Sequence, residues 1–286
     1  MAAESVARVD PRNRSLYWND ARIVGLSCLC ADFTDHAYSP HSHDALVVAV
    51  TEAGGSEFRS RGEVHEAAAS ALLVFNPAEP HSGRMARSRR WRYRGLYLDE
   101  AALATLVGLL GIDGVPHFTA NLFRDVDLIE TFLALHRTLQ AGTDALLESE
   151  RLVDSFGRLF RRHGGHGVRI AAAGPGRRAW SILDDLIHER HAEPLTLRDL
   201  ASAVDLTPFQ LIALFKRTVG LTPHAYLVQV RLRAAMTTMR RGAGIAEAAS
   251  AAGFYDQSAL NRHFKRSHGI TPLQWVRAGA FVNFDQ

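Results

Sequence analysis

The chain has 286 residues, 47% apolar and 22% charged, with a formal net charge of +3. This is length enough for two ordinary domains of globular composition, and no run of about 18 apolar residues marks a membrane span. The opening residues, with Glu4, Arg8, Asp10, Arg12 and Arg14, carry no apolar secretory core, so a cytoplasmic protein with no membrane partner is expected. Residues 177–286 hold 14 Lys and Arg against 9 Asp and Glu, leaving the rest slightly acidic. That asymmetry suits a nucleic-acid module joined to something else, but is too modest to identify one alone.

The first third reads as short strands separated by turn residues. Strands are expected over 21–32, 45–52, 56–61, 63–66, 71–75 and 90–99, with Gly54-Gly55 as a turn and Gly62 at a hairpin tip. Many short strands at this spacing suggest a small sandwich or jelly roll. Cys28 and Cys30, spaced i, i+2 in a strand, share a side and suit buried thiols better than a mutual disulfide. The arginines at 84, 87, 89, 90, 92 and 94 are read as a solvated strand face and loop, with an anionic effector or partner-domain contact as the sharper option. Two histidine-bearing segments lie here: Pro40-His41-Ser42-His43 and Asn76-Pro77-Ala78-Glu79-Pro80-His81.

From Asp125 the apolar period becomes helical. Val126, Ile129, Phe132, Leu133 and His136 form one stripe, and Leu146, Leu152, Val153, Phe156, Leu159 and Phe160 another, predicting a helical hairpin turning at Gly142-Thr143. Residues 163–178 are Gly-rich, small and basic, as a linker would be.

The C-terminal third contains one pattern twice. Ala201-Ser202-Ala203 recurs 48 positions later, and Phe215-Lys216-Arg217 with Thr222-Pro223 recurs 49 positions later. Each copy has a short apolar helix, a turn and a second helix. Thr207-Pro208 opens the second helix of one copy and Asp256 that of the other. Narrow stripes (Leu211, Leu214 and Phe215; Leu260 and Phe264) leave polar and cationic residues on the remaining faces, as a helix entering a major groove requires. One such helix-turn-helix pattern is weak evidence, whereas two in tandem joined by a single helix are strong.

The segment from about Trp180 to Arg277 resembles the DNA-binding domain of the AraC/XylS transcription regulators, carried by GIAEAASAAGFYDQSALNRHFKRSHGITPLQW with Leu260 where that family commonly has Phe. The resemblance implies two recognition helices reading successive major-groove segments, and contact with RNA polymerase. The HxH motif at 41–43, the stretch AVTEAGGSEFRSRG and FNPAEPH are similar to the cupin-like effector domain preceding it in many members, where the following helices commonly form the dimer contact. The expected fold is therefore α+β with two domains: a cupin-like β-barrel plus helical hairpin over 1–163, a linker over 164–178, and an all-α tandem helix-turn-helix domain over 179–286.

DNA contacts are expected from Phe209, Gln210, Ile212, Ala213, Lys216 and Arg217 in the first recognition helix, and from Gln257, Ser258, Asn261, Arg262, Lys265 and Arg266 in the second. Arg262 suits guanine, Gln257 and Asn261 suit adenine, and Lys265 and Arg266 suit phosphate. In the first helix Phe209, Ile212 and Ala213 are read as packing on thymine methyls, with Gln210 the main hydrogen-bonder. His41, His43 and His81 admit three readings: effector-pocket lining, structural hydrogen bonding at strand ends, or a divalent metal site. The first is taken, with no metal, cofactor or catalytic residue assigned, because the cupin carboxylate position falls on Val47 or Val48. The expected protein is a transcription regulator, an activator, with double-stranded DNA, a small-molecule effector and RNA polymerase as partners and a homodimer contact through residues 125–162. The alternative is a metal-dependent cupin enzyme with a regulatory helical domain.

Overall fold

A computed structural model describes residues 13–85, 87–165 and 177–280. The chain divides into two compact units, Met1–Ala171 and Ala172–Gln286. Most of the expected linker, 166–176, lies outside the described residues.

The first unit is built on nine strands: β1 (Asn13–Asn19), β2 (Leu26–Phe33), β3 (Ala37–His41), β4 (Leu46–Ser60), β5 (Glu63–Ala68), β6 (Ala71–Phe75), β7 (His81–Met85), β8 (Trp91–Leu98) and β9 (Leu122–Phe123). They form two antiparallel layers, β1-β2-β8-β4-β6-β9 and β3-β7-β4-β5, sharing the long strand β4. The Gly54-Gly55 turn expected from sequence is not a turn. β4 runs through it, with a register irregularity between Thr51 and Ala53, and passes from one layer to the other. Gly54 sits at φ +71, where a Cβ would lie 1.6 Å from the Arg90 carbonyl oxygen, so glycine makes the corner. The hairpin at Arg61-Gly62 is as expected, with φ of 51° and 81° at its two tip residues.

Strand alternation holds along β8. Trp91 and Tyr93 are buried inward while Arg92 and Arg94 face outward. Strands β1, β3, β7 and β9 and helix α1 (Glu100–Leu110) are additions to the expected elements. The two five-residue strands contain Pro40 and Gly83, and α1 is apolar on nearly every side, so neither presents a clean period. The hairpin helices α2 (Val126–Ala141) and α3 (Ala145–His163) form as predicted. They pack on each other, and α2 lies on the sheet through His136, Arg137 and Gln140. Cys28 is buried, Cys30 half-buried, and both thiols are free.

The second unit is all helical: α4 (Arg177–Arg190), α5 (Leu197–Ser202), α6 (Pro208–Val219), α7 (Pro223–Arg240), α8 (Ile245–Ala251), α9 (Gln257–His268) and α10 (Pro272–Ala280). The repeated sequence produces repeated geometry. After α5 the chain turns at Asp205 with φ 52°, and Leu206 N–H donates to Ala201 C=O; after α8 it turns at Gly253 with φ 81°, and Phe254 N–H donates to Ala249 C=O. Both offsets are 48. From the N-caps Thr207 and Asp256 onward the offset is 49, so the inserted residue falls in the second turn, at Phe254-Tyr255. Helix α7 serves both copies. Its Tyr226 packs with Trp180 and Phe215, while Val228, Leu232, Ala235 and Met239 join Ala248, Leu260 and Phe264.

Candidate functional site

The residues expected to meet DNA lie on the two second helices, α6 and α9. In α9 Ala259, Leu260 and Phe264 are buried, which turns Gln257, Ser258, Arg262, Lys265 and Arg266 to solvent and leaves Asn261 half-buried. Asp256 caps the helix by accepting the Ala259 N–H at 2.6 Å. Among the described residues Arg262, Lys265 and Arg266 form no ion pair within the unit, so their charge is available to a ligand.

Helix α6 is different. Phe209, Gln210, Ala213 and Lys216 are half-buried and Arg217 is exposed. Ile212, expected to meet a thymine methyl, is only 2% exposed and packs inward with Leu211 and Phe215, so it leaves the contact set. Gln210 closes a capping box: its Oε1 accepts the Thr207 N–H at 2.9 Å while Thr207 Oγ1 accepts the Gln210 N–H at 3.2 Å. The side chain assigned as the main base reader is thus tied to the helix start, with only its NH₂ group left over. Of the arginines in α7, Arg231 donates to the His191 and Glu193 carbonyls and Arg240 lies over the Trp275 ring, so both hold the unit together.

In the first unit the three histidines converge as their motifs suggested. His41 and His43 meet through their Nε2 atoms at 3.2 Å, and ligand atoms of His41, His43 and His81 lie within 4.8 Å of one another. His41 Nδ1–H donates to Ser39 C=O and His81 Nδ1–H to Glu79 C=O, leaving Nε2 of both rings as acceptors. Burial, reinforced by His41 and His81, pushes His43 down to about 4, and burial also lowers His81. Glu79 positions the loop before His81. Burial alone would raise its carboxyl, but hydrogen bonds from Arg61, Ser60, Asn76 and Asn121 outweigh it and hold it at about 2. The histidines open on a cavity of about 140 Å³ between the layers, walled by aromatic side chains.

Residues 23–155 match the family described as the AraC-like ligand binding domain, and residues 200–278 match a helix-turn-helix domain. The uncharacterized HTH-type transcriptional regulator YbfI of Bacillus subtilis is 25% identical over 77% of this chain and 80% of its own length. The regulatory protein ada of Salmonella typhimurium is 37% identical over 32% of this chain and 26% of its own. A ToxT structure from Vibrio cholerae aligns over 88% of this chain and 98% of its own, at 10% identity and a TM-score of 0.37.

The chain belongs to the AraC-like transcription regulators. It joins a cupin-like ligand-binding domain to a helix-turn-helix DNA-binding domain, and no helix among the described residues is long and apolar enough to cross a membrane.

The regulator's histidine cluster has the donor chemistry of a divalent-ion site: three imidazoles, two of them oriented by carbonyls behind them. A borderline cation would be held by His41 and His81 through Nε2 together with His43, and would supply Lewis acidity there. The fourth cupin position carries no donor, since Val47 and Val48 are buried and apolar. The arginine cluster at 84–94 is largely consumed within the unit. Arg84 pairs with Glu57 and Arg90 with Asp32, while Arg92, Arg94 and Arg137 surround Glu52. Sequence reasoning did not single out Tyr255, which is 87% exposed immediately before α9. Its signal was present as the one-residue insertion between repeats. Nor did it single out Ser56 or Glu79, whose roles depend on which strands meet.

Proposed function

We propose that the regulator is a sequence-specific activator whose DNA reading is carried mainly by α9 and modulated by a small molecule bound in the cupin-like barrel. The observation that carries this is the outward face of α9, where Gln257, Asn261 and Arg262 present base-reading groups flanked by Lys265 and Arg266 over a fully buried Leu260/Phe264 stripe. Arg262 reads guanine, Gln257 and Asn261 read adenine, and Ser258, Lys265, Arg266, Lys216 and Arg217 address phosphate. Helix α6 contributes Phe209 and Ala213 as apolar contacts and the free half of the Gln210 amide. Tyr255 joins the second set, placed to lie against the backbone as α9 enters the groove. His41, His43 and His81 line the effector site.

The proposed division is 1–163 for effector binding and dimerisation, 164–178 for the linker and 179–286 for DNA binding. A homodimer would form through the outer face of residues 125–162, where Val126 is 65% exposed. Sedimentation of Val126→Asp beside the parent chain tests that contact. RNA polymerase is the partner through which a DNA-bound activator acts. For the DNA assignment, footprinting compares the parent with Arg262→Ala. A loss of specific affinity by roughly 1–3 kcal/mol is expected, with Ala213→Ser close to the parent. Equal footprints for the parent and Arg262→Ala would sink the assignment.

The convergence of three imidazoles favours one second reading, a metal-dependent cupin enzyme with a regulatory helical domain. It requires stoichiometric metal by elemental analysis, lost in His41→Ala together with turnover of a small molecule. YbfI is named as a transcriptional regulator, and the described cavity lining offers no carboxylate as acid or base.

A further inference from the structure

The barrel cavity is small and walled by aromatic rings and by the imidazoles of His41, His43 and His81. Its described lining includes Tyr38, Phe58, Phe75, Trp91, Tyr93 and Tyr97, and contains no Lys, Arg, Asp or Glu. A volume of about 140 Å³ is close to the roughly 150 Å³ apolar cavity that accommodates benzene. The rings are arranged for more of the same contact. Trp91 stacks on Tyr93 at 4.8 Å and meets Tyr38 edge-on at 5.9 Å, while Phe58 meets Phe75 edge-on at 5.6 Å.

Two lining residues carry a second, independent signal. Ser56 Oγ and Trp91 Nε1 are buried and make no hydrogen bond among the described residues, in side chains 1% and 6% exposed. Leaving a buried donor unmade is costly, and native interiors rarely do so without a reason. Both residues line the same cavity, and an oxygen of a bound molecule that reached the two atoms would answer both. A carboxylate or ammonium in that volume would be stripped of water with no Lys, Arg, Asp or Glu beside it, the imidazoles of His41, His43 and His81 being the titratable side chains of the wall apart from its tyrosines.

Resting on the reading of the barrel as the effector site, we infer that the cavity takes an uncharged single-ring aromatic molecule bearing one carbonyl or hydroxyl oxygen, received by Ser56 Oγ and Trp91 Nε1.

The test is calorimetric titration of the full chain with acetophenone and phenol, beside toluene, benzoate and benzylammonium. Saturable one-to-one binding of the two neutral oxygen-bearing rings is expected, at least about tenfold tighter than the charged rings. Ser56→Ala removes only the unanswered hydroxyl. It should weaken acetophenone by about 3- to 10-fold, leave toluene unchanged and keep the melting temperature at or above the parent's. Gly83→Leu fills the cavity from β7, where a Cβ would meet Trp91 Cη2 at 3.6 Å and Tyr38 Cδ2 at 3.9 Å, and should abolish binding of every ring.

Equal or tighter binding of benzoate or benzylammonium that Gly83→Leu abolishes overturns the chemical class while leaving the barrel as the effector site. Binding untouched by Gly83→Leu places the ligand outside the cavity and overturns both. Absence of saturable binding by either neutral oxygen-bearing ring overturns the class, and so does a Ser56→Ala protein that binds acetophenone as the parent does. If Gly83→Leu does not fold, the Ser56→Ala comparison of acetophenone with toluene decides alone.

Discussion

Arg262 and Gln210 lie on the second helices of the two helix-turn-helix copies, yet their side chains have different freedom. Arg262 is exposed on α9, whereas the Gln210 carbonyl oxygen accepts the Thr207 N–H and completes a capping box. The Gln210→Ala variant should therefore lose about 0.5–1 kcal/mol of stability by denaturant melting, with little change in base preference. Arg262→Ala should show the converse. His136 is a different kind of residue-scale determinant. It is 1% exposed, with Nε2–H donating to Leu29 C=O and Nδ1 accepting from Arg94 at 3.0 Å. Burial and then the Arg94 charge press it down to about 4; the Leu29 carbonyl and Glu52 oppose them, Gln140 shares the Arg94 guanidinium, and the Trp18 ring stands edge-on. The unfolded imidazole titrates near 6.5, so as pH falls the unfolded chain takes up the proton first. Stability present above about pH 6.5 is lost progressively towards about pH 4. Thermal melts across that window should fall for the parent and fall less steeply for His136→Gln.

Within each helix-turn-helix unit the turn sets the angle between helices, and the two copies solve it with different residues. Asp205 tolerates the left-handed conformation in the first. Gly253 cannot be exchanged so freely. Besides φ +81, a Cβ there would lie 2.7 Å from Ala192 Cα and 2.8 Å from the carbonyl oxygens of His191 and Ala192. Gly253→Ala is expected to cost about 2 kcal/mol or more in urea unfolding, through strain plus displacement of the segment after α4. The same segment is held by Arg231, which donates to the His191 and Glu193 carbonyls. A comparable device bends β4 at Gly54, where sequence spacing alone suggested a reversal of the chain. A glycine pair between two apolar runs marks either a turn or a strand corner. Only the partner strands, β6 and β8 before it and β5 and β7 after it, distinguish them.

At the scale of the whole molecule, the proposed reading distributes DNA contacts over two helices of one unit, and phosphate contacts would make binding depend on salt. Lys265→Ala should lower affinity alike for specific and unrelated duplexes. It should also reduce the slope of log affinity against log salt by about 1, measured by fluorescence anisotropy from low to moderate ionic strength. What the sequence determined by itself was local and periodic. The doubled pattern, the caps at Thr207 and Asp256, the stripes of α6 and α9 and the alternation of β8 each depend on residues within a few positions of one another. From these the two-domain α+β plan and the helix-turn-helix pair were legible, whereas the meeting of HxH with His81 was implied by the resemblance to cupin-like domains. The tertiary structure decided what depends on distant partners. It buried Ile212, committed Gln210 and Arg231 to their own unit, spent the arginines of β8 on Glu52, and left Ser56 and Trp91 unanswered beside one cavity. Burial and hydrogen-bond satisfaction are set by whichever element packs alongside, and sequence spacing does not encode that.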